Sequence, residues 1–157
     1  MTIGVAGSGA AGMARLLLER LEGWGAIRFT PSELYSSVAD GPGGEGGEGA
    51  VLLVSAAPED TEETLGVALA RLSHLRGVVV EGDVAIEVLR PDIVIFIAVS
   101  TPGSASGDAP GLMAASDVVV FDKEIPPGAP ERAAKFPIGE TASCVDYIVR
   151  AVHDKGH

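Results

Sequence analysis

Along this chain, apolar residues gather in short unbroken runs, and the segments between them carry apolar positions at a helical period. Ile3 to Ala6, Ala26 to Phe29, Ala50 to Val54, Val78 to Val80, Ile93 to Val99 and Asp117 to Phe121 read as strands, with a further short one near Ala134 to Phe136. Runs that do not alternate with polar residues belong to strands covered on both faces, as in a parallel sheet. Residues 13 to 24 put Met13, Leu16, Leu17, Leu21 and Trp24 on one helical face and Arg15, Glu19 and Arg20 on the other.

Further helices are read from their end signals. Thr30-Pro31-Ser32-Glu33 has the form of a capping box, which predicts a brief helix to about Ala39. Glu59 to Arg76 has acids in its first turns, Arg71, His74 and Arg76 near its end, and Gly77 just beyond, in line with the helix dipole. Asp83 to Leu89 is a short helix with Asp83 as its cap, stopped by Pro91, and Glu140 to His153 buries Val145, Ile148, Val149 and Val152. The segment Gly41 to Gly49 has too little apolar surface to fold alone and reads as a mobile loop. Strands and helices alternate throughout with no internal repeat, so residues 1–157 are expected to form a single domain. Its fold class is α/β, a doubly wound, mostly parallel sheet with helices on both faces.

Composition narrows the function. The 46% hydrophobic content suits a packed core, and no charge-free run approaches the roughly 20 residues that span a bilayer, so no membrane partner is expected. Met1-Thr2-Ile3 leads straight into a strand, which predicts a cytoplasmic protein. A net charge of −11 repels polyanions and argues against nucleic acid as a partner. The one cysteine, Cys144, lies in an amphipathic helix and reads as a packed thiol. His74, His153 and His157 lack any ligand spacing, so no metal site is expected.

The chemistry is concentrated in the turn that follows the first strand. A helix beginning there leaves backbone N–H groups unpaired at its positive end, and glycines allow a phosphate to approach them. Gly7-Ser8-Gly9-Ala10-Ala11-Gly12 matches the dinucleotide fingerprint G-x-G-x-x-G, and Gly7 and Gly12 also have the spacing of a P-loop, G-x-x-x-x-G-K-[ST]. Met13 stands where the P-loop lysine would be, and Ala14 where the magnesium-holding hydroxyl would be. On this motif, Met13 lies beside the phosphate site, and Met13→Lys with Ala14→Thr would restore charge and hydroxyl. Other polar segments follow later strands: Glu81-Gly82-Asp83, Ser100 to Ser106 within the polar loop Ser100 to Asp108, and Asp122-Lys123. In a sheet of this class they gather at the carboxyl edge, where ligands bind.

The order IGVAGSGAAG, then VVVEGDVAIEVLRPDIVIFIAV, then ASDVVVFDK resembles the P-loop GTPase-like family of molybdopterin-guanine dinucleotide biosynthesis adaptor proteins over roughly residues 2 to 125. The resemblance implies a P-loop NTPase-like three-layer fold and a purine nucleotide, GTP or ATP. It puts the phosphates at Gly7, Ser8, Gly9, Ala10, Ala11, Gly12, Met13 and Ala14. It further implies an acid-glycine pair, Glu81-Gly82, opposite the phosphates, and Lys123 beside the base. Met13 and Ala14 depart from the family in a way that counts against hydrolysis, and Ile125 gives no acceptor for guanine. The expected role is therefore that of a degenerate P-loop protein that binds a nucleotide weakly or not at all and acts as an accessory or regulatory protein in molybdopterin-type cofactor metabolism, with no catalytic residue assigned.

Two other readings are open from the sequence. A Rossmann-type protein would use Gly7, Gly9 and Gly12 for NAD(P) or FAD, with Glu33 as the nearest ribose acid or Arg28 facing a 2′-phosphate. A non-catalytic interaction module, with a protein partner or as a homodimer, would need no ligand.

Overall fold

The computed structural model describes residues 1–7, 9–41, 51–98, 109–126 and 128–155. Strands β1 (Thr2–Gly7), β2 (Trp24–Pro31), β3 (Ser37–Asp40), β4 (Val51–Ala56), β5 (Gly77–Glu81), β6 (Ile93–Ala98), β7 (Val118–Phe121) and β8 (Ala134–Pro137) form one sheet in the order β3-β4-β2-β5-β1-β6-β7-β8. Every neighbouring pair is parallel except β3 with β4. This is the α/β architecture expected from the unbroken apolar runs. Ile3, Val5, Val79, Ile95 and Val118 face one layer while Val78, Val80, Val94 and Phe96 face the other, so alternate residues of one strand feed two cores.

Helices α1 (Ala10–Arg20) and α5 (Thr141–Lys155) cover the first face, where Leu17, Cys144, Val145 and Ile148 are buried. Helices α2 (Thr61–Arg71), α3 (Asp83–Leu89) and α4 (Ala109–Ala114) cover the second through Leu65, Ala68, Ile86 and Leu112. The direction in which the chain winds across the sheet reverses at β1. From β1 the chain crosses toward β2 by way of α1, and from β6 it steps the other way to β7, leaving a switch point between β1 and β6 at the carboxyl edge.

Three boundaries differ from the sequence reading. The brief helix expected from the Thr30 capping box to about Ala39 does not form. Ser32 Oγ does accept from the N–H groups of Leu34 (3.3 Å) and Tyr35 (3.4 Å), but Leu34 is 90% exposed and has no face to bury. The chain instead turns back as β3, where Val38 pairs in register with Val54. Second, α1 starts at Ala10 and ends at Arg20, and Trp24 opens β2 rather than closing the helix. Third, the helix predicted from Glu59 to Arg76 is a 3₁₀ turn over Pro58–Asp60 followed by α2, which stops at Arg71; Leu75 then bonds back to the Leu72 carbonyl. Helix α3 has the expected range, Asp83–Leu89, with Gly82 rather than Asp83 at the cap position, and it closes on Arg90 in the left-handed region (φ 47°) just ahead of Pro91. Most of the Gly41–Gly49 loop and the whole of the Ser100–Asp108 loop fall outside the described residues.

Candidate functional site

The glycine loop lies where the switch point predicts. β1 ends at Gly7 and α1 begins at Ala10, so only Ser8 and Gly9 join them, and Ser8 is outside the described residues. Gly7 has φ 96°, and a Cβ there would lie 2.1 Å from the carbonyl oxygen of Ile97 on β6. The fingerprint's first glycine is therefore required by the backbone of the neighbouring strand, whatever binds above it. The first helical bond of α1 runs from the Met13 N–H to the Gly9 carbonyl at 3.2 Å. The N–H groups of Ala10, Ala11 and Gly12 consequently have no acceptor within the helix. Ala11 and Gly12 are exposed, and a Cβ on Gly12 would meet nothing within 4 Å. Among the described residues nothing covers this end of α1, and the dipole there favours an anion.

Met13 and Ala14 do not face that opening. Met13 is 4% exposed and Ala14 2%, and both lie in the cluster that holds Val5, Leu17 and Ile148. The expectation that residue 13 stands beside a phosphate is corrected here. Because α1 starts at Ala10, three residues before Met13, that side chain has already rotated onto the buried face of the helix.

Glu81 and Gly82 follow β5, the strand directly beside β1, with Glu81 in register with Val5. The Glu81 side chain is 10% exposed and accepts a hydrogen bond from Arg28 Nε at 2.9 Å. Arg28 sits opposite Glu81 on β2. Both side chains occupy the face covered by α1, since their neighbours Ile27, Phe29 and Val80 point into the other core. Gly82 has φ 118°, and a Cβ there would come within 2.9 Å of the Phe29 carbonyl oxygen, so this glycine too has a structural reason. Lys123 is exposed beyond the end of β7, which is separated from β1 by β6. That puts it about 10 Å to the side of the loop, at two strand spacings. The structure thus brings the glycine loop and Glu81 together and leaves Lys123 at the margin.

The Arg28–Glu81 pair is what sequence reasoning missed. Its signal was present: Arg28 is the one charge inside the apolar run Ala26 to Phe29, and Glu81 ends another such run. The same topology bears on the dinucleotide reading. A Rossmann sheet carries its ribose acid on a strand next to β1, but β5 lies between β1 and β2 here, so Glu33 and Arg28 are two strands away.

Two cavities lie elsewhere. One, of about 600 Å³, is lined by Arg20, Leu21, Trp24, Arg76, Val152 and His153 at the opposite edge of the sheet, where α1 and α5 end. The other, of about 450 Å³, is a largely apolar groove along Ile86, Pro91, Val94 and Leu112. Among the described residues, no helix is long and apolar enough to cross a membrane.

No protein-family model and no curated protein matches this chain. Two solved structures do. A MobB protein homolog from Bacillus stearothermophilus aligns with TM-score 0.60 at 14% identity, covering 98% of this chain and 97% of that one. A molybdopterin-guanine biosynthesis protein B (mobB) aligns with TM-score 0.52 at 14% identity, covering 96% and 99%. At that identity the likeness is one of fold: the chain shares the α/β fold of these two structures over nearly its whole length.

Proposed function

We propose that this protein is a nucleotide-binding accessory protein of molybdopterin-type cofactor metabolism, which holds a purine nucleotide at the start of α1 and does not hydrolyse it. The carrying observation is the burial of Met13 and Ala14 directly behind an open helix start. The N–H groups of Ala10, Ala11 and Gly12, which have no acceptor within the helix, supply a phosphate cradle. The two side chains that would add a lysine charge and a metal-holding hydroxyl in a P-loop enzyme are apolar and turned into the core. Phosphate binding is thereby retained while the groups that stabilise phosphoryl transfer are missing. The fold likeness to MobB proteins supports the cofactor context, and Glu81 and Gly82 border the same opening.

A thermal-shift series with GTP, ATP, NAD, NADP and FAD tests the reading. A ligand at 100 times its dissociation constant stabilises the native state by about 2.7 kcal/mol. GTP or ATP is expected to raise the midpoint and the dinucleotides to leave it unchanged. A rise with NAD, NADP or FAD alone would contradict the proposal.

A further inference from the structure

The groove of about 450 Å³ between α3 and α4 has the size of a small-molecule site and lies on the second face of the sheet, so it is independent of the nucleotide reading. Its walls are aliphatic: Ile86, Val94 and Leu112 are buried, and Pro91 is half-buried. Among the described residues no aromatic side chain lines it, and Arg90 is its one cation. The two acids that line it differ. Asp117 is engaged, since its Oδ2 accepts from the Val94 N–H at 2.9 Å and its Oδ1 lies 3.8 Å from Arg132 Nη1. Glu87 is exposed on α3 and makes no ion pair with Arg90, three residues on. Among the described residues the Arg90 guanidinium has neither a hydrogen-bond nor an ion-pair partner.

The backbone gives no reason for an arginine at this position. Residue 90 closes α3 at φ 47° and ψ 69°, a left-handed conformation that glycine or asparagine ordinarily supplies at a helix end. The proline that follows disfavours it further. Among the described residues Arg90 is the one non-glycine with positive φ. An unpaired guanidinium beside an apolar groove is complementary to a molecule with an alkyl body and an anionic head, and its planar fork matches a carboxylate.

We infer that the groove between α3 and α4 binds a small aliphatic carboxylate, its chain along Ile86, Val94 and Leu112 and its head on the Arg90 guanidinium.

The test titrates octanoate into the full chain and follows backbone amide NMR shifts, with 1-octanol and octylamine as the neutral and cationic counterparts. Octanoate is expected to shift Gly111, Leu112 and Ala115 saturably. The alcohol should bind about tenfold or more weakly, the usual effect of losing one charge-assisted contact, and the amine more weakly still. Arg90→Gly should bring octanoate down to the affinity of the alcohol. Its thermal midpoint should stay close to or above that of the wild type, because glycine accepts φ 47° without strain. Equal affinity for octanoate and 1-octanol, wild-type octanoate affinity in Arg90→Gly, or no saturable shift at the groove overturns the inference. Should Arg90→Gly fail to fold, the comparison of octanoate with 1-octanol on the native chain decides the matter alone.

Discussion

Gly7 and Ile97 face each other across β1 and β6 so closely that a Cβ on Gly7 would lie 2.1 Å from the Ile97 carbonyl oxygen, well inside contact distance. Gly12, five residues on, has open space where its Cβ would be. The two glycines of one motif thus have different reasons to be there.

Their alanine variants should separate those reasons. Gly7→Ala combines a positive φ with a backbone clash and is expected to lose on the order of 3 kcal/mol in urea denaturation. Gly12→Ala, exposed in α1, should gain about 0.5–1 kcal/mol from helix propensity. Its added methyl group should at the same time weaken phosphate binding at the open helix start. Equal destabilisation by both would contradict the assignment.

Met13→Lys puts an ammonium where the native side chain is 4% exposed, among Val5, Leu17 and Ile148. The expected loss is about 2–4 kcal/mol, and Ala14→Thr adds overpacking at a site 2% exposed. The double variant should lose stability and gain no affinity for any triphosphate. A folded variant with tighter GTP or ATP binding would show that residue 13 reaches the phosphates after all.

Arg28 and Glu81 should show measurable coupling. A double-mutant cycle with Arg28→Gln and Glu81→Gln is expected to give about 1 kcal/mol, kept small by solvent screening of a guanidinium that is 45% exposed. Zero coupling would mean that Glu81 does not hold the arginine.

Cys144 is fully buried, and burial pushes its thiol up from 9.0 to about 12. A folded-state value above the unfolded one gives a stabilisation that is complete below pH 9 and lost as pH rises toward 12. Unfolding free energy should therefore fall across that window by more in the wild type than in Cys144→Ala. The native thiol should also resist alkylation at about pH 8, and rapid labelling of the folded protein would contradict its burial.

Much of the sheet could be read in advance because a strand covered on both faces must be apolar throughout: Ile93 to Val99 became β6 (Ile93–Ala98) almost residue for residue. The failures share a physical cause, which is that local signals do not specify tertiary partners. Ser32 made its turn bonds as a capping residue would, yet pairing of Val38 with Val54 decided the segment's fate. In the glycine loop, spacing located the turn but not the direction of Met13, because that direction depends on where α1 starts. The Arg28–Glu81 pair joins residues 53 positions apart through strand register, which no local pattern contains.

The most direct test of the central claim is to dialyse the full chain to equilibrium against labelled GTP or ATP and analyse the nucleotide recovered with the protein. The account predicts saturable binding with the triphosphate recovered intact. Multiple-turnover conversion to diphosphate and inorganic phosphate, or no retained nucleotide of either kind, would contradict it.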